Sequence, residues 1–261
     1  MIFLMSLVGG YPVGAKLISD SIKSGSLSQN QGKRMLLFCV NPGPAFVVNI
    51  VGTAMLGSVE AGVILLVSLC LASFVTGVIS RFFGDGKEKT LPFNKKQEAS
   101  PLVSSVSESI TAIMGVCGWI VVFSALLGVI NAAPLSENAK QWLNMLSEVT
   151  GGCRISAKQF PLPVTALILG WSGFSVHAQI MPYISTAKLR YKHFAVARLF
   201  NGALGMGISY LLFQIFPCKI SVFSNAGEIL PRAVSVSAPA TAGLLFLSAL
   251  VILDLAPKRK V

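Results

Sequence analysis

Charged residues are scarce in this sequence. Asp, Glu, Lys and Arg together make up 12% of the 261 residues, and only 10 of these residues are acidic. A soluble domain carries about 25% charged residues because its surface must be solvated. The composition therefore excludes a soluble enzyme or a soluble nucleic-acid binder as a description of the whole chain.

Metal ligands and catalytic signatures are also few. The sequence holds two histidines, His177 and His193, and five cysteines without a CxxC motif. HExxH, GxSxG and phosphate-loop motifs are absent, so we predict no enzymatic activity, no metal site and no cofactor. A disulfide between Cys153 and Cys218 is left open, although inert thiols are favoured.

Long uncharged stretches are what the sequence has in abundance. Six of them contain 20 to 29 residues each, and the mean hydropathy is +0.72. About 20 apolar residues suffice to cross a bilayer core of roughly 30 Å. The stretches are 35–59, 61–80, 109–136, 159–187, 199–218 and 233–253. They predict an all-α, polytopic transmembrane helical bundle that is a multi-pass protein of the cell membrane.

Basic residues lie almost entirely between these stretches. The formal net charge is +11, and the 21 Lys and Arg residues cluster at 81–96, 188–192 and 258–260. Short basic loops of membrane proteins stay in the cytoplasm, so we expect the polar linker 84–107 to be cytoplasmic. The chain has no continuous basic face with interleaved aromatics, and no nucleic-acid partner is predicted.

Several apolar stretches are interrupted. Pro42 and Pro44 break the stretch 35–59, and glycines break the regions around residues 9–12 and 170–173. A proline inside a helix removes a backbone donor, and in a membrane the freed carbonyls need protein or water as partners. The segment 135–149 is predicted to be a helix that lies either on the membrane surface or on the bundle.

Two interrupted segments are similar to each other. GYPVGAKL at 10–17 and GFSVHAQI at 173–180 share three of eight residues, and Arg34 and Arg198 follow at similar distances. They predict two repeats, 1–83 and 108–261, joined by the basic linker 84–107. We expect the first repeat to be truncated at its N-terminus. The short apolar pieces favour re-entrant hairpins and inverted repeats, and the alternative is that both segments cross fully in parallel repeats.

The motifs GGYPVGAK, FCVNPGP, EVTGGCR and GFSVHAQI resemble those of the nucleoside-recognition, or Gate-domain, membrane family and of the sporulation integral membrane proteins of spore-forming bacteria. The resemblance implies two inverted repeats, each with a re-entrant hairpin and an unwound helix, and a role in spore formation. The sequence departs from the family pattern at Val40 and Pro42, where Asn and Ser are expected, and at Ala187, where an acidic residue is expected.

A binding site is predicted where the interrupted segments would meet, because unwound backbone there can bind a polar solute. The candidate residues are Tyr11, Lys16, Asn41, Ser175, His177, Gln179 and Asn201. Structural alternatives stand beside several of them. Lys16 can pair with Asp20, His177 can bond to a neighbouring carbonyl, and Gln179 can bond between helices. Arg198 can extend toward the membrane interface instead of facing a solute.

Two functions remain open from the sequence. The first is a Gate-type membrane protein that acts in sporulation and binds or moves a small polar solute. The alternative is a membrane scaffold that keeps the fold without transport. The expected partners are the lipid bilayer and a small polar solute, and assembly into a homo-oligomer is left open.

Overall fold

The computed structural model describes residues 1–83 and 101–218, with the backbone alone at 83, 101–106, 108 and 109. The described part is helical and contains no strand, which confirms the all-α prediction. Its helices are α1 (Ile2–Gly9), α2 (Tyr11–Lys23), α3 (Gln29–Leu36), a π-helix (Ala45–Met55), α4 (Val59–Ser80), a 3₁₀ turn (Arg81–Phe83), α5 (Pro101–Ala132), α6 (Glu137–Ser147), α7 (Val149–Gln159), α8 (Leu162–Trp171), α9 (Gly173–Thr186) and α10 (Tyr191–Ile215).

Four helical segments are long and apolar enough to cross a membrane. They are Val59–Ser80, Ile110–Ala132, Leu162–Thr186 and Tyr191–Ile215. Together they support the predicted multi-pass membrane protein. Residues 84–100 of the basic linker and the predicted span 233–253 lie outside the described residues. The five cysteines, all within the described part, are free.

Local sequence determines where the helices begin. The Ser28 hydroxyl accepts from the Gln31 amide while the Gln31 side chain accepts from the Ser28 amide, a capping box that opens α3. The hydroxyl of Ser58 accepts from the Ala61 amide and caps α4. The Glu148 carboxylate accepts from two amides at the start of α7. Each cap satisfies backbone donors that have no partner within the helix.

The antiparallel pair of α4 and α10 defines the two ends of the bundle. Thr76 of α4 lies beside Asn201 of α10, and nearer the start of α4, Leu69 lies beside Gly205. We call the end where α4 finishes and α10 begins the linker end, and the opposite end the far end. The π-helix also packs along α4, where a Cβ added at Gly52 would lie 2.5 Å from the Cα of Gly62.

Two helical segments that pack along α4 and α10 are interrupted by breaks. The segment 37–44 separates α3 from the π-helix, as the two prolines predict. Ser172 separates α8 from α9, and both Ser172 and Gly173, the first residue of α9, have φ in the left-handed region, 77° and 73°. Glycine adopts that conformation without strain, which makes the second break local and sharp.

Two helical hairpins accompany the breaks. α1 folds back on α2 at Gly10, whose φ is 84°, so that Ser6 packs against Gly14. α6 packs against α7, and the side chain of Gln141 donates to that of Gln159. α6 therefore follows the second alternative for 135–149: it packs on the bundle, with Met145 buried.

The hairpins extend toward opposite ends. Gln29, the first residue of α3, donates to the carbonyl of Thr186 at the linker end of α9 (3.2 Å). In contrast, Ser156 of α7 lies 3.0 Å from Thr165 of α8, on the far side of the break. The two octapeptides thus occupy different local structures, the first at a hairpin tip and the second at the break of a candidate span.

Candidate functional site

The hairpin tips and helix breaks meet inside the bundle. Gly10 at the tip of α1–α2 lies against Gly43 in the first break, and Gly173 in the second break lies against Val149 at the tip of α6–α7. The meeting place is lined by buried polar side chains, which we call the polar centre. Its members are Asn41, Ser73, Thr76, Ser172, Arg198 and Asn201.

Arg198 connects the two breaks. It is fully buried, and its guanidinium donates from Nη1 to the carbonyl of Val40 (2.5 Å) and from Nη2 to the Ser172 hydroxyl (2.8 Å). Its Nε has no hydrogen-bond partner within the described residues. Of the two alternatives for Arg198, the structure does not follow extension to the membrane interface, because a carbonyl freed by the first break binds this cation inside the bundle.

Asn41 and Asn201 belong to one hydrogen-bonded group, although they come from different halves of the chain. The Ser73 hydroxyl donates to Asn41 Oδ1 (2.5 Å) and accepts from Asn201 Nδ2 (3.1 Å). Asn41 Nδ2 donates to the carbonyl of Phe38 (2.9 Å). Asn201 Oδ1 is buried without a partner in the described part of the chain, so the group has an acceptor to spare.

Tyr11 reaches from the first hairpin tip to the second broken helix. Its hydroxyl donates to the carbonyl of Leu169 (2.8 Å), and the side chain is buried. Ser175 is buried in the first turn of α9, just beyond the second break. Both candidates therefore lie where the interrupted segments meet.

His177 has both ring nitrogens in use. Nδ1 lies 3.0 Å from the Tyr191 hydroxyl, and Nε2 lies 3.0 Å from the carbonyl of Trp171. The ring also packs on the Trp171 side chain, with centroids 4.4 Å apart. This arrangement matches the structural alternative, a buried histidine bonded to its neighbours.

Lys16 and Gln179 lie more than one turn beyond Gly10 and Gly173 along their helices. Lys16 forms an ion pair with Asp20 on the same helix (3.6 Å), which is the structural alternative considered for it. Gln179 is half-buried on α9. The hydrogen bonds described for the polar centre involve neither side chain.

Four members of the polar centre were not predicted as site residues: Arg198, Ser73, Thr76 and Ser172. A signal for Arg198 was available, because Arg198, Asn201, Gly202 and Gly205 follow the i, i+3, i+4, i+7 spacing of one helix face. The two glycines let α10 approach its neighbours closely. A Cβ added at Gly202 would lie 2.8 Å from the carbonyl oxygen of Leu167.

A cavity of about 1010 Å³ opens beside the polar centre at the linker end. Its lining includes Thr76, whose hydroxyl is 3.5 Å from Asn201 Nδ2. We call it the linker-end cavity. Within the described residues no group of three or more His, Cys, Asp or Glu side chains could hold a metal ion. The arrangement offers hydrogen-bond donors and acceptors and one buried cation, which suit the binding of a polar molecule.

Comparison with known proteins identifies a relative of the chain. The sporulation integral membrane protein YlbJ of Bacillus subtilis (strain 168) is 23% identical over an alignment that covers 82% of this chain. The chain spans 63% of the length of that relative. No family model matches the sequence, and no solved structure matches it. The predicted resemblance to sporulation integral membrane proteins is confirmed, whereas these comparisons do not show the predicted Gate domain.

Proposed function

We propose that this integral membrane protein acts in spore formation and binds a small polar solute at the polar centre. The name of its Bacillus subtilis relative supports the role in sporulation. The observation that carries solute binding is the pair of unpartnered buried groups, Arg198 Nε and Asn201 Oδ1. Buried polar atoms are nearly always hydrogen-bonded, so an unpartnered donor and an unpartnered acceptor three residues apart on one helix favour an external partner.

One small molecule is able to satisfy both groups. Arg198 and Asn201 are three residues apart on α10, so their side chains lie on the same helix face. Each unpartnered buried group costs about 1–3 kcal/mol. A solute with a hydroxyl, amide or carboxylate would accept from the guanidinium, and a hydroxyl or amide would also donate to the amide oxygen. The proposal assigns binding to these side chains and no catalysis.

An inverted, Gate-type arrangement fits the order of the elements. Hairpin, broken helix and straight helix occur as α1–α2, α3 with the π-helix, and α4, and again as α6–α7, α8–α9 and α10. The two broken helices run in opposite directions, since each is antiparallel to its straight helix and α4 is antiparallel to α10. This pairing equates the hairpin tips with each other, so it replaces the predicted pairing of the two octapeptides.

Accessibility at the two ends tests this arrangement. Lys23 ends α2 at the linker end, and Lys158 lies near the end of α7 at the far end. With the linker cytoplasmic, a membrane-impermeant thiol reagent should label Lys158→Cys from outside intact cells and should fail with Lys23→Cys or Lys95→Cys. Labelling of Lys23→Cys and Lys158→Cys from the same side would contradict it.

A scaffold without transport is the second candidate. The observation in its favour is that polar side chains at the breaks already have partners within the protein. Asn41 bonds to Phe38 and Ser73. His177 bonds to Tyr191 and Trp171. Such a network holds the breaks in place without any ligand. The scaffold therefore predicts that variants of the polar centre change stability and leave no solute affinity to measure.

Ligand-dependent thermal stability separates the two candidates. The full chain in neutral detergent is heated with a panel of nucleosides and small polar metabolites, since a ligand that binds only the folded state raises the transition temperature. For a solute that does so, Asn41→Ala and Asn201→Ala should each weaken binding about 5- to 150-fold, the equivalent of about 1–3 kcal/mol for one hydrogen bond.

The control is Asn131→Ala, the same change at an exposed position at the far end of α5. It should leave affinity within twofold. If no member of the panel raises the transition temperature, or if all three variants bind alike, solute binding at the polar centre is wrong and the scaffold is favoured.

A further inference from the structure

The linker-end cavity is lined by basic side chains from distant parts of the chain. It lies between α3, the end of α4, the loop 187–190 and the start of α10. Six of its lining residues are Lys, Arg or His: Lys33, Arg34, Lys188, Arg190, Lys192 and His193. Among the described residues, no Asp or Glu lines it. A cavity with this lining has a strongly positive potential.

The positive-inside tendency accounts for basic residues at this end of the bundle. It does not explain why six of them line one cavity. Lys23 is at the same end and is exposed, yet it lies outside the cavity lining. Lys33 and Arg34 are instead half-buried, and Lys33 Nζ lies 3.2 Å from Asn30 Oδ1. The basic side chains of α3 and of α10 thus face one shared space, although about 150 residues separate them in sequence.

The remaining lining suits a multiply charged anion. Leu37, Ile79 and Phe200 provide an apolar wall. Apolar walls strengthen the field of the surrounding cations. The planar fork of arginine matches the geometry of phosphate oxygens, and lysines add point charges around it.

We propose that the linker-end cavity binds a phosphate group through Arg34, Arg190 and the neighbouring lysines. The phosphate belongs either to a soluble anion or to the headgroup of an anionic phospholipid. This site is distinct from solute binding at the polar centre and does not depend on it. Five fixed positive charges exceed what a neutral polar solute requires, and they favour a multiply charged anion over a neutral ligand.

Binding of inorganic pyrophosphate to the full chain in neutral detergent tests the soluble source. Calorimetric titration should give saturable binding that weakens at least tenfold in Arg34→Gln and in Arg190→Gln, because glutamine keeps polarity and removes the charge. The matched control, Lys23→Gln, removes one charge from the same end and should change the dissociation constant less than twofold.

Nanodiscs test the lipid source. The chain is incorporated into phosphatidylcholine with and without phosphatidylglycerol, and retained lipid is counted by native mass spectrometry after release. Retention of phosphatidylglycerol that is lost in Arg34→Gln and kept in Lys23→Gln supports a headgroup site. Pyrophosphate binding without lipid retention supports a soluble anion. Absence of both, or equal loss in Arg34→Gln and Lys23→Gln, overturns the proposal.

Discussion

Arg198→Lys tests whether the guanidinium holds the two helix breaks together. The substitution keeps the buried charge, and it replaces a fork that reaches the Val40 carbonyl and the Ser172 hydroxyl with a single ammonium. A hydrogen bond to a charged group contributes about 1.5–3 kcal/mol. Because the ammonium is expected to keep the contact with the Val40 carbonyl and to lose the one with the Ser172 hydroxyl, the free energy of unfolding should fall by about 1.5–3 kcal/mol.

A double-mutant cycle with Ser172→Ala makes the argument specific. Removing the hydroxyl should destabilise the unmodified chain by a similar amount and the Arg198→Lys chain by less than about 0.5 kcal/mol, because the contact is already lost there. Equilibrium unfolding of the detergent-solubilised full chain measures the free energy of unfolding of the unmodified chain, the two single variants and the double variant. Arg154→Lys, at an exposed position on α7, is the control and should change stability by less than about 0.5 kcal/mol.

The reasoning is refuted if the effects of Arg198→Lys and Ser172→Ala simply add. It is also refuted if Arg198→Lys matches the Arg154→Lys control. Either result would mean that the two contacts contribute nothing measurable to joining the breaks.

Three further substitutions probe the packing around the polar centre, each by equilibrium unfolding. Gly170→Ala should destabilise by about 1–3 kcal/mol, since its Cβ would lie 2.7 Å from a backbone nitrogen of α10, whereas Gly207→Ala, with nothing within 4 Å, should be neutral or slightly stabilising; equal effects would contradict close helix contact. Ser73→Ala should cost about 1–3 kcal/mol because two buried amides lose a shared partner, and Ser68→Ala, whose hydroxyl bonds only within α4, should cost less. Tyr11→Phe keeps the ring and removes one hydrogen bond, so a loss of about 0.5–1.5 kcal/mol is expected, and no loss would show that the hydroxyl does not join the hairpin to α8.

Positions of helices and breaks could be predicted because they depend on local chemistry. The prolines at 42 and 44 cannot donate backbone hydrogen bonds, and the structure interrupts the helix there. Asn41 and Asn201 were predicted as site residues because they lie in the broken and the glycine-loosened helices, where unwound backbone can bind a polar solute. The position of Arg198 was left open, since a buried contact and an interfacial position both satisfy a cation.

The pairing of segments could not be predicted from similarity in apolar sequence. GYPVGAKL folds into a hairpin tip because α1 packs back on α2. GFSVHAQI begins the second part of a broken span, since α8 and α9 both pack against α10. Three identical residues in eight do not distinguish these outcomes, because glycine with positive φ serves both a tip and a break.

By itself, the sequence determined that this is an all-helical membrane protein, where its helices break, and which polar residues need partners. Only the tertiary structure decided which partners they find. The Val40 carbonyl and the Arg198 guanidinium are 158 residues apart in the chain. In a membrane, lipid and protein interior are both apolar, so hydrophobic periodicity does not indicate which helix face is buried. That choice depends on close packing at small residues and on hydrogen bonds between segments, which exist only once the helices are assembled.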